Sequence, residues 1–146
     1  MRPGLRGADA AALAVVRERI EASAMARWLQ LGAGIEADAL RYTLTFGEQH
    51  IGNPVIRAMH GGVVASLLET AATLEVAART EPAVRIRTIS CHVNYLRGAV
   101  DKDMTASVTV ARLGRRIAFC EATGWQTTPD EPVARAAVAL RVFAEG

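Results

Sequence analysis

The alternation of apolar and polar residues divides the chain into a helical opening, one strand, a loop, a second helix and a run of four strands. From Asp9 to Leu31, the residues Leu13, Val16, Ile20, Ala24 and Trp28 recur at three- and four-residue steps, with Arg17, Glu18, Glu21 and Arg27 between them. That spacing predicts an amphipathic helix. Asp9 suits its N-cap, and Gly32-Ala33-Gly34 offers the left-handed-tolerant residues at which helices stop. Ile35 to Phe46 then alternates, with Leu40, Tyr42, Leu44 and Phe46 on one face and Arg41, Thr43 and Thr45 on the other. A strand with one wet face is expected there. Gly47 to His60 contains Gly52, Asn53 and Pro54 and has no sustained period, so it reads as a long loop.

Gly61 to Arg79 is apolar almost all round, through Val63, Val64, Leu67, Leu68, Ala71, Ala72, Leu74 and Val76, which is the pattern of a buried helix. Past Pro82 the period becomes two, over Val84 to Leu96, Met104 to Leu113, Ile117 to Thr127 and Val133 to Phe143. The first of these sets Ile89, Cys91, Val93 and Tyr95 against Thr88, Ser90, His92 and Asn94. The connections at Gly98, Gly114 and Pro129-Asp130 are too short for parallel crossovers, so the strands should pair largely as antiparallel neighbours. The expected fold is α+β, one antiparallel sheet wrapped around a central buried helix with an extra N-terminal helix. Residues 1–32 form the helical extension, packed on the same domain, and residues 33–146 the domain itself.

Composition narrows the function. A chain of 146 residues with 51% apolar side chains has enough material for one core and an oligomer interface. Its net charge of +2 is spread among both signs, and Trp28 and Trp125 stand far apart with no basic-aromatic interleaving, so nucleic acid is not an expected partner. Cys91 and Cys120 lie in alternating segments and read as reduced core residues; no residue set suggests a metal. Arg17 and Glu18 interrupt the N-terminal region before any secretory segment forms, and Glu69 and Glu75 break the apolar helix, so no membrane span and a cytoplasmic location are expected. His50 and His92 read as surface or interface residues.

Chemistry concentrates in Gly52 to Ala71. A loop ending in His60-Gly61-Gly62 opens directly onto the apolar helix, leaving the first helical amides unpaired while two glycines allow close approach to the backbone. Such an entrance suits an anion or a polarised carbonyl, and the helix dipole adds to the attraction. Glu69 is a carboxylate in the middle of the buried helix, where an unpartnered charge would cost several kcal/mol. Nine residues of helix carry it about 13 Å along the axis and half a turn round from His60. If both serve one reacting centre, the entrance of one chain must meet Glu69 of another, which makes a twofold dimer the smallest active unit.

The Asn-containing loop, His-Gly-Gly and an acid nine residues after the His resemble the PaaI-type branch of the hotdog-fold thioesterases. Val93-Asn94-Tyr95-Leu96-Arg97-Gly98-Ala99 and the hairpin Arg112 to Ala118 are similar to further family segments, so the resemblance covers roughly residues 33 to 144. It implies hydrolysis of an acyl-CoA thioester without a cofactor, in a homodimer or homotetramer whose active sites lie between subunits. By the same resemblance the Gly61 amide, helped by Gly62, polarises the carbonyl, and Glu69 of the opposing subunit is base or nucleophile. Asn53 positions the carbonyl or the water, Thr88 orients the water, and Arg97, Arg115 and Arg116 hold CoA phosphates. His60 itself either orients the loop by hydrogen bonding or touches the reacting carbonyl. The chain departs from the family pattern in having Glu69 where many members have Asp, Asn53 one residue further from the His, and Gly98 where Pro is usual. Two other readings of the same scaffold are a non-catalytic acyl or small-ligand binding module and an acyl-thioester dehydratase or hydratase.

Overall fold

The computed structural model describes residues 8–80 and 84–143. The chain runs α1 (Ala10–Ala22), α2 (Ala24–Trp28), β1 (Leu31–Glu36), β2 (Ala39–Leu44), a 3-10 turn at Glu48–His50, β3 (Ile51–Asn53), β4 (Ala58–Met59) and α3 (Gly61–Arg79). Four long strands follow: β5 (Arg85–Tyr95), β6 (Met104–Leu113), β7 (Ile117–Trp125) and β8 (Ala134–Phe143). Six strands form one sheet in the order β1-β2-β6-β7-β8-β5, with every neighbouring pair antiparallel, and β3 pairs β4 separately.

Helix α3 lies on one face of this sheet and α1 packs against α3 and β1. Val64, Leu67, Leu68, Ala71, Ala72 and Val76 are fully buried, as are Ala12 and Val16 of α1. Removing that apolar surface from water is the main stabilising term, roughly 1.5–3 kcal/mol for each large side chain. Gly124 of β7 makes the close seating possible, since a Cβ there would lie 3.2 Å from Leu68 Cδ2. By length and composition alone α3 is apolar enough to cross a bilayer, in spite of Glu69 and Glu75, but most of it is covered by the rest of the molecule.

The deepest carboxylate on α3 is Glu75, not Glu69. Glu75 is 4% exposed, accepts from the Tyr42 hydroxyl at 3.0 Å and pairs with Arg79 Nε at 3.0 Å. Both oxygens are thus partnered, which a buried charge requires. Burial first, and the Glu75 charge second, push the Tyr42 hydroxyl well above its ordinary range.

Several sequence expectations need correction. The single N-terminal helix is broken at Ser23, whose Oγ accepts from the Ala26 amide at 3.1 Å and so starts α2. Gly32-Ala33-Gly34 does not stop a helix but belongs to β1, so the sheet begins inside the segment assigned to the extension. The single strand expected over Ile35–Phe46 is the β1–β2 hairpin, turned at Ala37 and Asp38 with φ of 49° and 62°. A two-residue turn of this kind usually advertises itself with Asn or Gly, which are missing here. The long loop carries the small β3–β4 hairpin. Finally, β5 pairs with β8 at the sheet edge and is separated from β6 by two strands.

Both cysteines are free thiols, as expected. Burial, reinforced by Glu75, pushes the Cys120 thiol up to about 12 from its ordinary 9.0. The unfolded chain releases that proton at lower pH than the folded one, so the folded state loses stability as pH rises through this window. Tyr42 acts in the same direction above its ordinary value of 10.0. The urea midpoint should therefore fall between about pH 8 and about pH 11, and Cys120→Ala should make the fall shallower. An unchanged slope in the variant would rule Cys120 out as a source.

Candidate active site

The β3–β4 hairpin delivers the chain to the start of α3. His60 has extended backbone (φ −62°, ψ 132°) and caps the helix: its Nδ1 accepts from the Gly62 amide at 2.8 Å, and its carbonyl accepts from Val63 at 2.9 Å. Its own amide donates to the His50 carbonyl at 2.8 Å. His60 therefore organises the loop from within the chain, and the Gly62 amide is occupied rather than turned to a ligand. The Gly61 amide, first in the helix, has no intrahelical acceptor, and no other described residue takes it. The Gly61 carbonyl accepts from the Tyr95 hydroxyl at 2.7 Å.

Close packing fixes this entrance. A Cβ on Gly52 would lie 2.8 Å from His60 Cα and 2.9 Å from His60 Cβ, so β3 can approach only with glycine there. Behind it, His50 is fully buried, which corrects the expectation of a surface or interface residue. Its Nδ1 accepts from the Gly47 amide at 3.1 Å and its Nε2 lies 3.1 Å from the Trp28 carbonyl, contacts that suit the tautomer with the proton on Nε2. The ring also meets Trp28 edge-on at 5.2 Å. His92 is exposed on β5.

Two turns along α3, Glu69 is half-buried and accepts from the Thr88 hydroxyl at 2.7 Å through Oε1. Strict alternation would put Thr88 on the face opposite Cys91, Val93 and Tyr95. A bulge between Thr88 and Ser90 inserts Ile89 into the β5–β8 ladder and changes the phase. Thr88, Cys91 and Tyr95 consequently all reach α3, while Ile89 is left 55% exposed. Burial and then the Glu69 charge raise the Cys91 thiol.

β5 thus touches α3 at two places, Thr88 on Glu69 and Tyr95 on Gly61. Along the helix axis those places are about 12 Å apart. The arginines divide between the same two ends. Arg97 follows Tyr95 and donates Nε to the Pro132 carbonyl at 3.2 Å. Arg115 and Arg116 are exposed at the β6–β7 hairpin, near the Thr88 end, for Thr88 pairs with Leu140 and Leu140 with Ala118. Asn53 is exposed, and its Oδ1 accepts from the Val55 amide at 3.1 Å within its own turn.

A cavity of about 750 Å³ opens beside the His60 entrance. Glu69 does not line it; Met25, Trp28, Gln49 and Ser66 do, alongside His60 and Gly62. None of these four was given a site role from sequence, nor was Tyr95. The tyrosine could have been found from the segment Val93 to Ala99; the others have no local signal, because they come from three separate elements.

A sheet closed around one apolar helix, with an amide-rich helix entrance and a carboxylate further along it, defines a hotdog-fold thioesterase. The family profile of the acyl-CoA thioesterase N-terminal domain matches residues 51–142, and the chain belongs to this family. It is an enzyme that hydrolyses acyl-CoA thioesters. Among solved structures, one protein of the thioesterase superfamily is 27% identical, with a TM-score of 0.78 over 91% of this chain and 98% of its own. The PaaI protein of the phenylacetic acid degradation operon of E. coli is 20% identical, with a TM-score of 0.76 over 91% of this chain and 94% of its own. A Bacillus halodurans protein solved with CoA is 18% identical, with a TM-score of 0.75 over 92% and 93%. No curated protein matches.

Gly52→Ala must displace the His60 cap. The variant is expected to retain its fold, with a melting temperature lowered by a few degrees, roughly 1 kcal/mol, but to lose at least about tenfold in kcat/KM. Wild-type turnover by this variant would mean that the cap geometry does not matter to the chemistry.

Proposed function

We propose that the hydrolytic site forms between two copies of the chain, with the thioester carbonyl on the Gly61 amide of one and Glu69 supplied by its partner. The observation that carries this reading is the double clasp of β5 on α3. β5 is an eleven-residue edge strand without Pro or Lys, and its outer backbone groups are open to pairing. An antiparallel β5–β5 ladder with its twofold at about His92 would set Thr88 across from the partner's Tyr95, the extra residue of the bulge being taken up on the way. Residues directly opposite in such a ladder share a face. Glu69, held by Thr88, would then lie alongside the partner's Gly61, held by the partner's Tyr95.

In this scheme the Thr88 hydroxyl fixes Oε1 of Glu69 and leaves Oε2 to accept a proton from water. The water oxygen attacks the thioester carbon, and the oxyanion is stabilised by the Gly61 amide and the positive end of α3. The carbon–sulfur bond then breaks, the thiolate of CoA takes the proton from Glu69, and the free acid leaves. Arg97 of one subunit and Arg115 and Arg116 of the other would flank the same cleft and hold CoA phosphates. The scheme uses no cofactor, and Asn53 keeps its side-chain NH2 for the carbonyl or the water.

The test is thiol release from a panel of acyl-CoAs, read with a thiol-reactive dye. Glu69→Gln should lose about 10²–10⁴ in kcat while folding normally. Gly61→Val, whose branched side chain crowds the amide, should lose on the order of 10²–10³. Subunits of the two variants mixed and allowed to exchange should recover about a quarter of wild-type activity, since half the dimers would be mixed and each would hold one intact site. No recovery in a mixture shown by mass to contain mixed dimers would overturn the shared site.

A further inference from the structure

The cavity beside the His60 entrance is walled by more than the segment that matches the family. Its inner side is the first turn and a half of α3, with Val63 and Ser66, and Ile51 of β3 adds to it. Its far side is α2, which contributes Met25 and Trp28. Both lie outside the matched residues 51–142.

Four observations make this wall a built feature. Met25 and Trp28 are 51% and 46% exposed, an apolar pair left facing open space next to the free Gly61 amide. Trp28 is nevertheless held from two sides, by the edge-on contact of its ring with His50 and by donation from His50 Nε2 and Gln49 Nε2 to its carbonyl. The break at Ser23 turns the chain into α2, and without it these side chains would continue the line of α1. Among the described residues, no acidic side chain, lysine or arginine lines the cavity.

We propose that Met25 and Trp28 are specificity-determining residues, the far wall of the pocket that receives the acyl group. This rests on the reading that the thioester carbonyl sits at Gly61. The shared lining by His60 and Gly62 makes the pocket continuous with that position, so an acyl chain leaving the carbonyl enters it. Its size, about 750 Å³, corresponds to roughly 25 water volumes, far more than an acetyl group fills. The occupant is an uncharged, apolar acyl group of medium length or with one ring, and its tail meets the Trp28 indole. Acyl groups ending in a carboxylate are disfavoured, because the wall is mostly apolar and no described lysine or arginine in it would pair with the charge.

The experiment is a chain-length profile, acetyl-CoA through palmitoyl-CoA with benzoyl-CoA and succinyl-CoA, for wild type, Trp28→Ala, Trp28→Phe and Met25→Ala. Trp28→Ala should raise KM for the best wild-type substrate about tenfold, with kcat within about twofold, and shift the optimum to longer chains. Trp28→Phe should restore most of the KM, and acetyl-CoA should be indifferent to every variant. A profile that keeps its shape while all rates fall together would overturn the proposal, since a merely structural Trp28 behaves that way. Binding separates this proposal from the hydrolytic reading. A non-hydrolysable octanoyl-CoA thioether should shift the Trp28 emission to the blue, judged against Trp28→Phe, and acetyl-CoA thioether should not. A shift without turnover of any acyl-CoA would defeat the hydrolytic reading and keep the wall; turnover without a shift would defeat the wall.

Discussion

The structure turns on the need to take a nineteen-residue apolar helix out of water. α3 can bury Leu67, Leu68, Ala71 and Val76 only if a sheet lies across it, and the sheet has to be antiparallel because the strands that follow are joined by short connections. Among the polar groups of this mostly apolar helix are the open first amide at Gly61 and the carboxylate at Glu69. Glu69 accepts from Thr88 and the Gly61 carbonyl accepts from Tyr95, both on β5, the strand at the sheet edge. Burial of the helix therefore decides where these two groups are presented.

Because β5 ends the sheet, the groups it holds are poised at a surface that a second copy can cover. Thr88 and Tyr95 act as spacers that relate the two chemical positions on α3 to the backbone register of one strand. The bulge at Ile89 is part of that arrangement, for without the change of phase Thr88 would face away from Glu69. The N-terminal extension joins the same design through His50, whose buried ring ties the end of α2 to the loop that carries His60. The cavity and the open Gly61 amide thereby share one set of supports. Its polar groups are satisfied: among the described residues, no buried side-chain nitrogen or oxygen lacks a partner.

The contrast between Glu69 and Glu75 shows how an acid on a buried helix can be read wrongly. Both interrupt the same apolar run, and burial cost alone makes either one remarkable only for its partner. Glu75 takes the deep position and is neutralised by Arg79 four residues on and by Tyr42 from across the core. Glu69 sits closer to the surface, with one hydroxyl on Oε1 and no described partner on Oε2. The difference lies in what the other strands bring to each position, and helical spacing does not carry it.

What the sequence determined by itself was everything that depends on local period and on motifs contiguous in the chain. The buried helix, the four long strands, the His60-Gly61-Gly62 entrance and the thioesterase class were all legible there. The β1–β2 hairpin, the break at Ser23 and the small β3–β4 hairpin were not, because Ala37-Asp38 and Ser23 carry weak turn signals that packing overrides. Tertiary structure alone decided the strand order, the phase change at Ile89, the burial of His50 and the joint lining of the cavity by α2, β3 and α3. Each of these is a meeting of residues far apart in the chain, set by which apolar faces cover one another, and nothing in a residue's own neighbourhood records it.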